Sequence, residues 1–246
     1  MDIINSRTNK IISNLKKLSN KKYRKLQNEC LIEGEKLIKE AINSGVNVKQ
    51  LIVEQNKTFN INCNALTCVV SNSVMKYLSD SVTSQGIIAV IDTNYQYKSN
   101  SSRFLVLDNL QNPDNFGAII RTAVATNFNK IYAINCVDRF NSKVLRSCMG
   151  TLFRCEIIES NYQQIKELSN NNDIYYADMN GENVFSIKNF SNNIGLVIGN
   201  EGNGISEEIK NITTKTLSIP MLNNVESLNA SVSAGILMYE LIKNIK

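Results

Sequence analysis

The sequence predicts an α/β protein of two domains, the larger built on a mostly parallel sheet with helices on both faces. Two features of the 246-residue chain support this fold class. After about residue 97, short apolar runs alternate regularly with segments of helical periodicity, which is typical of parallel strands joined by helices. Before that position the apolar runs are fewer and less regular, which indicates a smaller mixed α/β unit.

The first predicted domain spans residues 1–96. Apolar side chains at helical spacing predict one long helix from about Asn20 to Ser44. The short apolar runs VKQLIVE, TCVV and GIIAVID predict strands, and SNSVMKYLSD predicts a helix between the last two. The polar stretch TNYQYKSNSSR that follows has no periodicity and predicts a linker, so we place the domain boundary near residue 97.

The second predicted domain, residues 97–246, contains six strands that alternate with helices. Strands are predicted at 104–110, 130–136, 155–160, 173–179, 195–200 and 216–221. Helices are predicted at about 116–127, 141–150, 161–170, 205–212 and 229–244. Because ligands of such sheets bind at the carboxyl ends of the strands, the loops that follow the strands are the places to search for a site.

Composition excludes several classes of protein. The chain has 43% hydrophobic and 20% charged residues, and no apolar run approaches the ~20 residues that cross a bilayer. Its first residues lack the apolar core of a secretory signal, so we expect a cytoplasmic protein without a membrane anchor. There is no histidine, which excludes Ser–His hydrolysis and mixed Cys/His zinc sites. The six cysteines form no C-x-x-C pair, so we expect reduced thiols and no metal.

Positive charge is concentrated in residues 1–25. This segment carries a net charge of +7, whereas the whole chain carries +5, so the remainder is slightly acidic. A polyanion partner such as RNA is one interpretation, and an ordinary solvated helix face is the other. The candidates for RNA contact are Lys16, Lys17, Lys21, Lys22 and Arg24.

The loop after the first strand of the second domain reads DNLQNPDNFGAIIRTAVATNF. Pro113 ends the extended run, and Asn115 is the predicted N-cap of a helix that begins near Phe116. Arg121 lies off the predicted buried stripe of this helix. It is the only charged side chain from Phe116 to Asn129, although a solvated surface arginine is the simpler interpretation.

The loop after the fifth strand of this domain reads GNEGNGIS. Its three glycines permit positive φ angles and close backbone approach to a ligand. The spacing matches neither the Walker A loop nor the dinucleotide fingerprint. A tight turn capped by Ser206 is the alternative interpretation.

The segment after the sixth strand of this domain, IPMLNNVESLNASVSAGILMYE, places a polar loop between a strand and an apolar helix. This loop is longer than a turn needs, although a solvated connection is again possible. Three polar loops at one end of a parallel sheet predict a site made of amides, one Arg, one Glu and backbone groups. In a site of this kind, positioning supplies most of the rate.

The three segments NPDNFGAIIRTA, GLVIGNEGNGIS and IPMLNNVESLNASVSAGILMYE, in this order, resemble the SpoU (TrmH) family of RNA 2′-O-ribose methyltransferases. The resemblance covers about residues 103–246, and KVLRSCMGTLFRCEI looks like the family's intervening segment. Residues 1–95 look like its ribosomal-protein-like substrate-binding domain, with YRKLQNECLIEGEKLIKEA as the best-matching piece. Asn112 departs from the pattern, because the family more often has Asp there.

The resemblance implies a trefoil-knotted, SPOUT-type fold, a homodimer, and S-adenosyl-L-methionine as the methyl donor held by the loops of the knot. It implies a catalytic set that consists of Asn115, Arg121, Glu201, Ser227 and Asn229. It also implies donor binding around Gly199, Gly204, Ile219, Met221 and Leu228.

The reaction implied by the resemblance is methyl transfer to a ribose 2′-hydroxyl, with 23S-type ribosomal RNA favoured over tRNA. The family's proposed base is an arginine, here Arg121. Because a free guanidinium has a pKa above ~12, binding of a phosphate and stabilisation of an oxyanion are alternative roles. The alternative functions are a tRNA 2′-O-methyltransferase and a non-catalytic RNA-binding or ribosome-assembly protein with a methyltransferase shell. A nucleotide-binding enzyme of another type is disfavoured by the two absent phosphate motifs.

Overall fold

The computed structural model describes residues 3–243, and its contacts divide the chain into two compact units. The first unit contains the described residues up to Gln96 together with Phe140–Phe153. The second contains Tyr97–Arg139 and the described residues from Arg154 onward. The sequence placed Phe140–Phe153 in the second domain, and the assignment of residues 1–96 and 97–246 as separate domains stays a prediction. Residue 244 of the predicted last helix lies outside the described residues.

Nine α-helices and ten strands occur between residues 3 and 243. The helices are α1 (Lys10–Lys17), α2 (Lys21–Gln27), α3 (Glu35–Asn43), α4 (Asn72–Leu78), α5 (Pro113–Ala125), α6 (Ser142–Ser147), α7 (Tyr162–Ser169), α8 (Glu207–Lys210) and α9 (Ala230–Ile242). The strands are β1 (Glu29–Glu33), β2 (Val48–Glu54), β3 (Leu66–Val70), β4 (Ile87–Asp92), β5 (Phe104–Asp108), β6 (Lys130–Ile134), β7 (Glu156–Glu159), β8 (Asp173–Asn183), β9 (Ile194–Ile198) and β10 (Thr216–Ser218). No helix within the described part of the chain is long and apolar enough to cross a membrane.

The first unit contains a four-stranded mixed sheet in the order β1-β4-β2-β3. Strands β2 and β3 are parallel, whereas β4 pairs antiparallel with both β1 and β2. Helices α1 and α4 pack on this sheet through one cluster of buried apolar side chains, which includes Ile12, Leu15, Val74 and Met75.

The predicted long helix from Asn20 to Ser44 is wrong. Strand β1 interrupts it, and in this strand Cys30 and Ile32 are buried whereas their neighbours are half-buried. Asn28 ends α2 in the left-handed conformation, and Gly34 separates β1 from α3 with a φ of 103°. Because the partner strand β4 lies more than fifty residues further along the chain, local periodicity did not reveal the pairing.

The second unit contains a six-stranded sheet in the order β10-β8-β9-β5-β6-β7, and all its neighbouring strands are parallel. This confirms the predicted parallel sheet, although most strands end earlier than predicted. The central strands β5 and β9 are buried along their whole length. Helices α5 and α9 pack against each other, and Thr126 Oγ1 contacts Met238 Sδ at 3.5 Å.

Strand β8 is longer than predicted and leaves the sheet before returning to it. Its pairing with β10 passes from Tyr176 directly to Glu182, so residues 177–181 lie outside the ladder. Gly181 marks the return. A Cβ at this position would lie 2.8 Å from backbone atoms of Leu217, so only glycine allows the two strands to approach this closely.

Candidate active site

The helix after β5 begins earlier than the sequence predicts. Pro113 is its first residue, and Asn112 is the N-cap, with Oδ1 accepting from the backbone N–H of Asp114 at 2.9 Å and of Asn115 at 3.3 Å. The prediction that Asn115 caps the helix is therefore wrong. Because Asn112 satisfies the helix terminus, the Asn115 side chain in the first turn is left to make other contacts.

Three side chains from the three predicted loops form one hydrogen-bonded chain. Asn115 is buried, and its Nδ2 donates to Glu201 Oε1 at 3.0 Å. Asn229 Nδ2 donates to Asn115 Oδ1 at 2.9 Å. A carboxylate only accepts hydrogen bonds, so Glu201 fixes the orientation of the Asn115 amide, which in turn selects a donor from Asn229. The structure thus brings together three of the five predicted catalytic residues.

Asn229 is held in place by the helix that it caps. Its Oδ1 accepts from the backbone N–H of Ser231 at 2.9 Å and of Val232 at 3.4 Å, and from the Ser231 hydroxyl at 2.6 Å. Glu201 Oε1 also accepts from the backbone N–H of Asn112 at 3.3 Å. Each end of the chain is therefore fixed by the terminus of a helix, α9 at one end and α5 at the other.

The other two predicted catalytic residues lie outside this chain of hydrogen bonds. Arg121 is exposed on α5, and no hydrogen bond or ion pair with another residue of the described chain holds its guanidinium. Ser227 is exposed and lines a neighbouring cavity. The position of Arg121 leaves its donors available to an anion from outside the chain.

The glycine-rich loop after β9 folds back on itself. Asn200 and Gly204 exchange two backbone hydrogen bonds of 2.9 and 3.0 Å. A Cβ on Gly199 would lie 2.3 Å from the Gly204 carbonyl oxygen, so glycine is required there by the loop itself. Ser206 caps α8, as the simpler interpretation of this segment predicted.

A cavity of about 310 Å³ opens beside the hydrogen-bonded chain in the second unit. Four of the five residues predicted to bind the donor line it, namely Gly204, Ile219, Met221 and Leu228. Gly199 does not line the cavity and instead supports the Gly204–Ile205 backbone that does. Further apolar walls come from Leu217 and Leu237.

Several lining residues were missed in the sequence. Ala177, Asp178 and Met179 belong to the part of β8 that leaves the ladder, and the sequence predicted an ordinary strand there. Gly181 was the available signal, because a lone glycine near a strand suggests an irregularity. Lys210 on α8 also lines the cavity. Its ammonium donates to Glu207 Oε1 at 2.7 Å, and this hydrogen bond raises the pKa of Lys210.

Cys136 lies close to the site but is not a nucleophile. Burial raises the pKa of its thiol to about 12, and the charges of Asp108 and Glu201 add to the rise. Its Sγ donates to the carbonyl oxygens of Leu107 and Ile134 at 3.2 and 3.3 Å. Because only a thiolate attacks efficiently, covalent cysteine chemistry is excluded here at neutral pH.

Residues 102–239, more than half of the chain, match the SpoU rRNA Methylase family. The chain belongs to this family. Residues 9–89 match the MRM3-like substrate binding domain. The family predicted from the three loop segments is thereby confirmed.

Individual members of the SpoU family resemble the chain over nearly its whole length. The 23S rRNA (guanosine(2553)-2′-O)-methyltransferase RlmP of Bacillus subtilis (strain 168) is 31% identical over 247 residues, covering 98% of this chain and 99% of that protein. The crystal structure of an AdoMet-bound rRNA methyltransferase from Sinorhizobium meliloti has a TM-score of 0.86 at 22% identity, covering 100% of this chain and 98% of that one. That of an RNA 2′-O ribose methyltransferase has a TM-score of 0.84 at 25% identity, covering 98% of each chain. These likenesses confirm the predicted fold class.

The basic residues predicted to contact RNA differ in their surroundings. Lys17, Lys21 and Lys22 are exposed, whereas Lys16 lies 3.8 Å from Asp80 with its ammonium over the Tyr77 ring. Arg24 does not belong with them, because only 7% of it is exposed. Its Nη1 donates to the carbonyl oxygens of Leu18 and Ser19 at 2.9 and 2.8 Å, just past the end of α1, so its role is structural.

Acidic and thiol side chains form no group of three or more that could hold a metal ion in the part of the chain that the structure describes.

Proposed function

We propose that this protein transfers a methyl group from S-adenosyl-L-methionine to the ribose 2′-hydroxyl of a nucleotide in 23S-type ribosomal RNA. The observation that carries the proposal is the Asn229–Asn115–Glu201 chain beside the 310 Å³ cavity, on loops of a SpoU family member. Membership of the family confirms the predicted enzyme class, an RNA methyltransferase. The large-subunit target is supported by the Bacillus subtilis relative, which acts on 23S rRNA.

The cavity suits S-adenosyl-L-methionine in size and chemistry. Its volume of about 310 Å³ lies at the lower end of the range of roughly 300–1,000 Å³ for small-molecule sites. Leu217, Ile219 and Leu228 offer apolar walls, and Asn203 and Gly204 offer exposed backbone. When bound, S-adenosyl-L-methionine supplies an electrophilic methyl group carried on a sulfonium.

The hydrogen-bonded chain is suited to hold the ribose. Oε1 of Glu201 is occupied by Asn115 and by the Asn112 N–H, so Oε2 is left to accept a hydrogen bond from a substrate hydroxyl. Asn115 and Asn229 prevent this carboxylate from turning away. Positioning of the 2′-oxygen against the donor cavity supplies most of the rate in this scheme.

Arg121 serves the RNA rather than the donor. Its guanidinium is exposed on α5 and does not line the cavity. We assign it the binding of a substrate phosphate or of the charge that develops on the 2′-oxygen as its proton leaves. Ser227, which lines the cavity next to Leu228, lies between the two substrates in this arrangement.

The first unit holds the RNA through its phosphates. The match of residues 9–89 to a substrate binding domain supports this role, as do the exposed ammonium groups of the basic segment. The residues proposed for this contact are Lys16, Lys17, Lys21 and Lys22.

The proposal includes a homodimer, a trefoil knot in the second unit and a cytoplasmic location. Helix α9 supports the dimer, because it is apolar on nearly all sides and a helix of this kind is normally covered. Val232 and Tyr239 are 49% and 56% exposed on it. Light scattering should give twice the chain mass, and Val232→Glu with Tyr239→Glu should give the monomer. A monomeric wild-type protein would contradict this part of the proposal.

Methyl transfer itself is tested with purified protein, radiolabelled S-adenosyl-L-methionine and three RNAs: 23S rRNA, 16S rRNA and bulk tRNA. We expect label in 23S rRNA, at a site that resists alkaline hydrolysis because its 2′-oxygen is blocked. Label in tRNA alone would replace the target. The absence of label in all three RNAs, with the donor bound, would favour a non-catalytic RNA-binding protein.

A further inference from the structure

Asp108, the last residue of β5, is a fully buried carboxylate close to the site. Its Oδ1 accepts from Asn109 Nδ2 at 2.8 Å and from the Tyr162 hydroxyl at 3.1 Å. Its Oδ2 accepts from the backbone N–H of Ser206 at 2.8 Å. A buried charge is costly unless such donors surround it, so this arrangement is a built feature of the fold.

Each donor to Asp108 comes from a different part of the second unit. Tyr162 begins α7, which follows β7 at one edge of the sheet. Ser206 ends the glycine-rich loop that follows β9. Asp108 therefore ties this loop to the end of β5 and takes its own support from α7.

A second hydrogen bond fastens the same loop nearer its start. Asn200 Nδ2 donates to the carbonyl oxygen of Asn109 at 2.8 Å. Asn200 Oδ1 accepts from the backbone N–H of Gly202 and Asn203 at 2.9 and 3.0 Å, which fixes the turn between them. The loop is thus held at both ends by neighbouring residues of one strand end, Asp108 and Asn109.

The residues between these two attachments carry both halves of the site. Glu201 belongs to the hydrogen-bonded chain that faces the RNA. Asn203, Gly204 and Ile205 form a wall of the cavity, and Ser206 follows directly. A displacement of Ser206 would therefore move the cavity wall before it moved anything else.

We infer that Asp108 is a positioning residue for the methyl donor, which holds the Asn203–Ile205 wall through the Ser206 N–H and is itself held by Tyr162. The inference rests on the proposed function, since it takes the cavity as the donor site. Asp108 touches neither substrate in this scheme. Its carboxylate is required because all three neighbours are donors, and an amide in its place would present its own N–H to one of them.

The test compares two substitutions of Ser206. Ser206→Pro removes the N–H that Asp108 accepts, at a residue whose φ of −67° proline also adopts. Ser206→Ala keeps the N–H and removes only the hydroxyl that caps α8. We expect calorimetry to show S-adenosyl-L-methionine bound about tenfold more weakly by the proline variant, and within about threefold of wild type by the alanine variant. Equal affinities for the two variants would overturn the inference.

Asp108→Asn and Tyr162→Phe extend the test to the other side of the contact. Asp108→Asn should weaken donor binding about tenfold alone, and much less when Ser206→Pro is already present, because the same contact is then already lost. Tyr162→Phe removes one of the three donors and should weaken donor binding about threefold. Full additivity of the first two substitutions would contradict the assignment, as would an unchanged donor affinity in Tyr162→Phe if the other variants fail to fold. A wild-type protein that binds no donor would instead refute the proposed function.

Discussion

Replacement of Asn115 by aspartate inverts one contact of the site while it keeps the shape. The amide Nδ2 lies 3.0 Å from Glu201 Oε1, so Asn115→Asp places two carboxylate oxygens at that separation. Unit charges at about 3 Å repel by roughly 5 kcal/mol at an effective dielectric constant of about 20, and by roughly 1.4 kcal/mol in bulk water. Because Glu201 is exposed, we expect a value toward the lower figure, which still suffices to push its side chain away.

The two acids should share a proton as the pH falls. One of them is protonated when two carboxylates meet, and the resulting O–H restores a donor between the two positions. The turnover of Asn115→Asp should therefore be about a hundredfold below wild type at pH 8, and the ratio should recover as the pH is lowered toward about 5.5. Asn115→Ala loses both hydrogen bonds, about 1 kcal/mol each, and should show a similar loss without the recovery.

Single-turnover methyl transfer to RNA at a series of pH values measures this effect, with donor affinity measured in parallel by calorimetry. The cavity contains no atom of Asn115, so donor affinity should stay near wild type in both variants. The reasoning would be refuted by an activity ratio of Asn115→Asp to wild type that stays constant across the pH range. A wild-type rate in Asn115→Ala would refute it as well.

Three further outcomes follow from the structure. Arg121→Ala should lower turnover by at least about tenfold with donor affinity unchanged, because the side chain lies outside the cavity; calorimetry that shows lost donor binding would contradict this. Methyl transfer should persist in EDTA, since no metal-binding group occurs within residues 3–243; loss of activity with restoration by a divalent ion would count against it. Each lost phosphate contact should lower the slope of log K against log salt by roughly 0.7–0.9, whereas the control Lys36→Gln should leave it unchanged. The four lysines to replace with Gln for this measurement are Lys16, Lys17, Lys21 and Lys22.

The sequence predicted the parallel sheet and the position of the site because both depend on local signals. Apolar runs alternate with helical periodicity, and polar segments follow the strands that end at one edge. Asn115, Glu201 and Asn229 could be selected from these segments, and the structure joins them.

The errors arose where a neighbour distant in the chain decides the structure. Strand β1 alternates buried and half-buried residues only because β4 pairs with it, and periodicity alone favoured a helix. The path of β8 around residues 177–181 depends on the backbone of β10, so Asp178 and Met179 were not expected in the cavity. The N-cap was misplaced by three residues because the preference of proline for the first helical position was not applied to Pro113.

The part of β8 that leaves the ladder separates the shape of the pocket from the stability of the sheet. Register with β10 resumes at Glu182 whatever side chains stand between Tyr176 and Gly181, so substitutions there meet no cross-strand partner. Asp178 and Met179 are thus positions where the pocket can be widened or recharged at little cost to folding. A library confined to these two positions is therefore a direct route to variants that accept donors with bulkier transferable groups.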